Sequence, residues 1–91
     1  MSFEICASGF TADANGTYSM IETDHWSNGI YFIYHDSWYW YLTPSDYKYH
    51  EPNAVARKEY IVGDSTGSTP IGSYNGIDGN PDGIVSNGEC S

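Results

Sequence analysis

Positive charge is what this chain has least of. Lys and Arg total 3 against 12 Asp and Glu, a formal net charge of -9. A surface of that sign repels phosphates, which argues against nucleic acid and anionic membrane as partners. Long apolar runs are missing as well, and nothing approaches the roughly 20 residues of a membrane-spanning helix. The opening Met-Ser-Phe-Glu-Ile-Cys has neither the basic start nor the apolar run of a signal peptide. No stretch reads as a full helix. Asn53 to Lys58 offers one turn that nothing caps. Cysteine is limited to Cys6 and Cys90, near opposite ends. Bonded, they would tie the first strand to the tail and contribute about 4 kcal/mol in a loop-entropy account. Unbonded, Cys6 is a small core residue and Cys90 an exposed thiol open to a neighbouring subunit.

Catalytic signatures are equally scarce. There is no G-x-S-x-G elbow and no Gly-rich phosphate loop opening a helix. His25, His35 and His50 are the three histidines, and none stands at zinc-ligand spacing with a cysteine. Glu22, Asp24 and Asp36 flank two turns and would make a glycosidase-type carboxylate pair only if the fold joined them. An acidic turn is the simpler expectation, and the chain reads as non-enzymatic.

Aromatics are plentiful: 9 Tyr and 3 Trp in 91 residues. Such rings suit strands, sugar contacts and protein contacts. Phe3, Ile5 and Ala7 alternate with Glu4, Cys6 and Ser8, which predicts a first strand. Thr17 to Thr23 predicts a second. Asp24 to Gly29 is a turn, with Asn28-Gly29 as a hairpin signal. Ile30 to Tyr34 and Trp38 to Leu42 predict the third and fourth strands, and Glu59 to Val62 a fifth. In the fourth, Trp38, Trp40 and Leu42 share the more apolar face, expected to be core. Tyr39 and Tyr41 fall on the other face. With Trp26 they are the expected exposed aromatic surface, for a glycan or for a neighbouring subunit. After Gly63 the composition shifts to Gly, Ser, Thr, Asp and Asn. This divides the chain into a β-domain over 1–62 and a tail over 63–91, packed on that domain or extending from it.

The tail holds the most specific local motif. Asp78-Gly-Asn-Pro-Asp-Gly-Ile-Val-Ser-Asn-Gly-Glu89 has the spacing D-x-[DN]-x-[DN]-G-x5-E of a calcium loop. Asp78, Asn80 and Asp82 would supply side-chain oxygens, Ile84 its carbonyl, Ser86 a water-mediated contact and Glu89 two closing oxygens. Calcium is therefore the expected ion. No entering or exiting helix flanks the loop, and a plain series of turns accounts for the same Asp, Asn and Gly.

The central block resembles a known module. Asn15-Gly16-Thr17-Tyr18, Asn28-Gly29 followed by Tyr31, and Trp40-Tyr-Leu-Thr-Pro-Ser45 are similar to the small NG-x-Y β-module of phage tail-fibre and other virion proteins and of secreted multidomain proteins. The likeness spans residues 9–62. It implies a non-enzymatic structural or binding unit and fixes no functional residue. Asn15-Gly-Thr17 is also a glycosylation sequon, relevant only to a secreted eukaryotic chain.

These readings predict an all-β fold: a small antiparallel β-sandwich or rolled sheet of about five to seven short strands, with an extended acidic C-terminal tail. The expected function is structural, a decoration, fibre or tail protein of a phage virion that contacts copies of itself or other virion proteins outside the cell. The rival expectation is a carbohydrate-binding adhesion module whose loop calcium orders.

Overall fold

In an extended strand successive side chains point to opposite faces, and here one face of every strand is turned inward. The computed structural model describes residues 4–36, 39–44, 54–58 and 69–90. Over these the chain forms β1 (Glu4–Ser8), β2 (Gly16–Glu22), β3 (His25–Ser27), β4 (Phe32–Asp36), β5 (Tyr39–Thr43), β6 (Ala56–Lys58), β7 (Gly72–Gly76) and β8 (Gly83–Asn87), with one 3-10 turn at Ala12–Ala14. Each strand pairs antiparallel with the next, and β8 returns to β1 through Ile5 opposite Asn87 and Ser8 opposite Ile84. The sheet is thus a closed up-and-down barrel. The fold is all-β and antiparallel as expected; of the two forms expected, sandwich or rolled sheet, it is a single sheet rolled until it closes, with eight strands among the described residues rather than five to seven.

Closure explains where the core sits. Barrels of about eight strands have an interior just wide enough to be filled by side chains. Ile5 and Ala7 from β1, Tyr18 from β2, Trp26 from β3, Ile33 from β4, Trp40 and Leu42 from β5, Ala56 from β6, Tyr74 from β7 and Val85 from β8 fill it. One end is plugged by Phe10, whose ring stands edge-on to Tyr74 at 5.9 Å between centroids. Gly83 admits that ring, because a Cβ there would lie 2.5 Å from Phe10 Cε1. Lys58, buried on β6, donates from Nζ to the carbonyls of Ile71 at 2.6 Å and Thr69 at 3.2 Å.

Two tyrosines anchor the chain in the same way from β2 and β7. Tyr18 donates its hydroxyl to the Ala14 carbonyl at 2.6 Å, and Tyr74 to the Pro70 carbonyl at 2.7 Å. Both rings are buried. Burial raises the Tyr18 phenol far above its ordinary range, with Tyr31 adding to the effect. Burial likewise raises Tyr74, with Tyr18 as the second cause. Asn15 of the NG-x-Y stretch accepts from the Phe10 amide at 2.9 Å and donates to the Phe10 carbonyl at 3.0 Å.

Cys6 and Cys90 form a disulfide, with Cα atoms 4.9 Å apart. Beyond β8 the chain bends at Gly88, whose φ of 86° is open to glycine. Gly88 N–H bonds to the Glu4 carbonyl at 2.9 Å, and Cys90 N–H bonds to Thr17 Oγ1 at 2.9 Å. The bond lies on the outer face of β1, since its neighbours Ile5 and Ala7 point inward.

Four expected strands correspond to β1, β2, β4 and β5. The region expected as a turn at Asp24 to Gly29 contains β3, and the single helical turn expected over Asn53 to Lys58 is corrected to β6 in its described part. Within 63–91, the described residues carry β7 and β8, which close the barrel. The strand expected at Glu59 to Val62, the core position of Trp38, and His50 lie outside the described residues.

Candidate binding groove

The aromatic surface expected from strand parity is not assembled. Trp26 is 1 % exposed and points into the barrel opposite Ile33. This corrects its expected exposure. Its strand has three residues, and a register shift between Met20 and Glu22 precedes it, so the sequence offers no alternation to read there. Tyr41 is on the outer face as expected, yet it too is buried, at 4 % exposure. A second apolar cluster on the outside of the barrel covers it, made of Tyr34, Tyr41 and Ala54 with Tyr39 and Ile77 packed against them. Tyr39 is half-buried. Arg57 lies 4.5 Å above its ring, a cation–π contact.

The calcium spacing is a hairpin in this structure. Gly72, Ser73 and Tyr74 of β7 face Val85, Ile84 and Gly83 of β8, which leaves Asp78-Gly79 as the two residues at the tip. Both have positive φ, 55° and 84°, and Asn80 N–H closes the turn on the Ile77 carbonyl at 3.1 Å. That is the mirror-image turn that Asp-Gly favours. Two of the expected ligands also make bonds within the hairpin. Asn80 Nδ2 donates to the Ile77 carbonyl at 2.7 Å, and Asp82 Oδ1 accepts from the Gly76 amide at 2.7 Å. Ile84 and Ser86 lie along β8, and Glu89 follows beyond its far end. Four extended steps of about 3.3 Å from Gly83 to Asn87 make on the order of 13 Å, so Glu89 is carried away from the tip. Among the described residues no three His, Cys, Asp or Glu side chains converge as a metal site.

The described histidines are engaged in packing. His25 is buried, with Nδ1 2.8 Å from Glu22 Oε1 and its ring 5.9 Å from Phe32. His35 lies against Trp40, 5.1 Å between centroids. Asp24 holds the β2–β3 connection at φ 58° and accepts from the His35 amide at 3.2 Å.

What the fold does build is an open groove of about 410 Å³ across β7, β8 and the end of β1, lined by Ser8, Gly9, Ser73, Tyr74, Asn75, Asp82, Gly83 and Ile84. Ser8 and Ser73 flank Ile84 in one cross-strand row. Ile84 is 55 % exposed at its centre. The neighbouring walls are fixed by close backbone approach, since a Cβ on Gly9 would come within 3.2 Å of the Asp82 carbonyl oxygen and one on Gly76 within 1.7 Å of that of Asn80. Of this lining, Asp82 and Ile84 are expected from the sequence as site residues, but as calcium ligands. Ser8, Ser73 and Asn75 are not expected from the sequence, because their meeting depends on β8 lying between β1 and β7. The signal available was the alternation Gly72-Ser-Tyr-Asn-Gly76, with Tyr74 inward and Ser73 and Asn75 outward.

No family model, curated protein or solved structure matches this chain.

Proposed function

We propose that the chain is a non-enzymatic module of an extracellular assembly, with a phage decoration, fibre or tail protein as the setting that the NG-x-Y resemblance implies. The observation that carries this reading is the Cys6–Cys90 disulfide across the barrel seam. Disulfides persist in oxidising settings such as secreted proteins and virion surfaces. They also suit a chain whose small core needs a staple. The closed sheet supports the same reading, because a barrel has no free edge to recruit stray strands. Its contacts are then made by faces, and Ile21 and Ile30 are exposed apolar residues on its surface. A net charge of -9 keeps such a surface from non-specific polyanion binding.

The test is the species formed by oxidised protein. Native mass spectrometry and light scattering should find a defined self-assembly, or stable capture by virion particles when these are the bait. A strictly monomeric protein that no virion captures would sink the proposal.

A further inference from the structure

We propose that the groove across β1, β8 and β7 binds an uncharged saccharide. The inference rests on the reading above only for where the ligand is met; its chemistry comes from the groove. Several polar side chains in and beside the described loops are already committed. Asn15 holds Phe10, Asn28 Oδ1 accepts from the amides of Ile30 and Tyr31, Ser27 Oγ accepts from Gly29, and Asn80 holds Ile77. The groove differs. Among the described residues, the hydroxyls of Ser8 and Ser73 and the amide of Asn75 make no hydrogen bond, although all three are exposed and line one concavity.

The donors and acceptors match a polyol. Each hydroxyl both donates and accepts, and the Asn75 amide offers both functions side by side. Asp82 spends Oδ1 on the Gly76 amide, and a carboxylate retains further acceptor sites for a sugar hydroxyl. Ile84 presents an apolar centre between the two serines, suited to the C–H face of a pyranose. The volume, about 410 Å³, lies within the range of small-molecule sites, roughly 300–1,000 Å³.

Charge selects within the sugars. Asp82 is the charged side chain of the lining, and the whole chain carries -9. Sulfated, phosphorylated and sialylated sugars would meet repulsion, because Arg57, the cation across from Asn75 on β6, stands outside the lining and over the Tyr39 ring. The site is also preformed, because the β7–β8 hairpin is locked at its tip and by Asp82, so little ordering is lost on binding.

The experiment is a titration of the oxidised protein, followed by amide NMR, with lactose, maltose, cellobiose and N,N′-diacetylchitobiose, and in parallel with sialyllactose and a heparin disaccharide. At least one neutral sugar should shift the amides of Ser8, Ser73, Asn75 and Ile84 with an affinity near millimolar. Asn75→Ala should weaken it by about tenfold or more, as expected for a lost hydrogen bond to a buried ligand hydroxyl. Ser73→Ala should weaken it less. Ile30→Ala, on the β3–β4 turn, should leave it unchanged. All three positions are exposed, and an unchanged melting temperature verifies each fold. No shift with any neutral sugar would overturn the inference. So would binding confined to the anionic sugars, shifts centred on Tyr39 and Arg57, or an Asn75→Ala variant that binds normally. Concentration-dependent shifts of the same amides without sugar would assign the groove to a second copy and would likewise overturn it. A protein that assembles but ignores these sugars loses this inference and keeps the assembly reading.

Discussion

Asn15 grips the backbone of Phe10 from both sides, accepting from its amide and donating to its carbonyl. The side chain thereby fixes the loop that carries the Phe10 plug into the end of the barrel. Asn15→Ala removes both bonds and should cost about 1–3 kcal/mol, read as a lower melting temperature. Asn15→Asp keeps the acceptor and puts a carboxylate against the carbonyl, so it should fall no better than Ala. A melting temperature equal to wild type in both variants would show that the loop is held elsewhere.

Two glycines of the β7–β8 hairpin should respond differently to a methyl group. At Gly83 the clash is with the Phe10 ring, a side chain that can be trimmed. Gly83→Ala should destabilise by about 1–3 kcal/mol, and Phe10→Leu should recover part of that loss in a double-mutant cycle. At Gly76 the clash is with the Asn80 backbone, which no side-chain substitution can trim. Gly76→Ala should be the worse of the two, and no side-chain change should rescue it. Equal losses, or rescue of Gly76→Ala, would contradict the hairpin geometry.

Tyr18 and Tyr74 set the alkaline limit. Their phenols are raised above the ordinary value near 10 by burial. Above pH 10 the unfolded chain releases these two protons and the native state keeps them. Stability is therefore full below pH 10 and falls as pH rises, at about 1.4 kcal/mol per pH unit for each residue. Denaturant midpoints between pH 9 and 12 measure the slope. Tyr18→Phe should reduce it, and phenolate absorbance should show these two rings ionising only with unfolding. A flat profile would refute the burial of both.

Calcium is the fourth test. Asn80 and Asp82 join the hairpin through Nδ2 and Oδ1 and keep other oxygens, but the extended β8 carries Glu89, the closing ligand, away from the tip, so millimolar calcium should leave the melting temperature unchanged. A rise that chelator reverses and Asp78→Ala abolishes would restore the calcium loop as the correct reading of Asp78 to Glu89.

The sequence spoke clearly where a strand had enough residues to alternate. Phe32 to Asp36 and Tyr39 to Thr43 carry several aromatic and aliphatic side chains, and β4 and β5 were legible. The inward faces of Trp40 and Leu42 followed from parity. In β3, β6, β7 and β8 a single residue or a pair points inward, such as Trp26 or Tyr74, and two points define no period. Gly-rich composition hid β7, because its glycines answer to neighbours in space: Gly72 to Lys58 and Gly76 to Asn80. The Asp-Gly-Asn-Pro-Asp-Gly string is ambiguous for a physical reason. The small oxygen-bearing residues that bind an ion are also those that cap a tight turn. The groove was illegible because its row, Ser8, Ile84 and Ser73, exists only after the barrel closes.

That closure also imposes an order in time. The strand that seals the barrel is the eighth, and its partner is the first, so β1 waits for residues 83–87 before one of its edges is covered. Non-local pairing of this kind folds slowly, in roughly milliseconds to seconds, and a nascent chain leaves the ribosome at about 5–20 residues per second. During synthesis β1 is therefore an open edge for several seconds. A second chain that supplies its own β8 in that interval yields an exchanged pair with the same hydrogen bonds. The Cys6–Cys90 bond spans that same seam, so in an exchanged pair it would join one chain to the other.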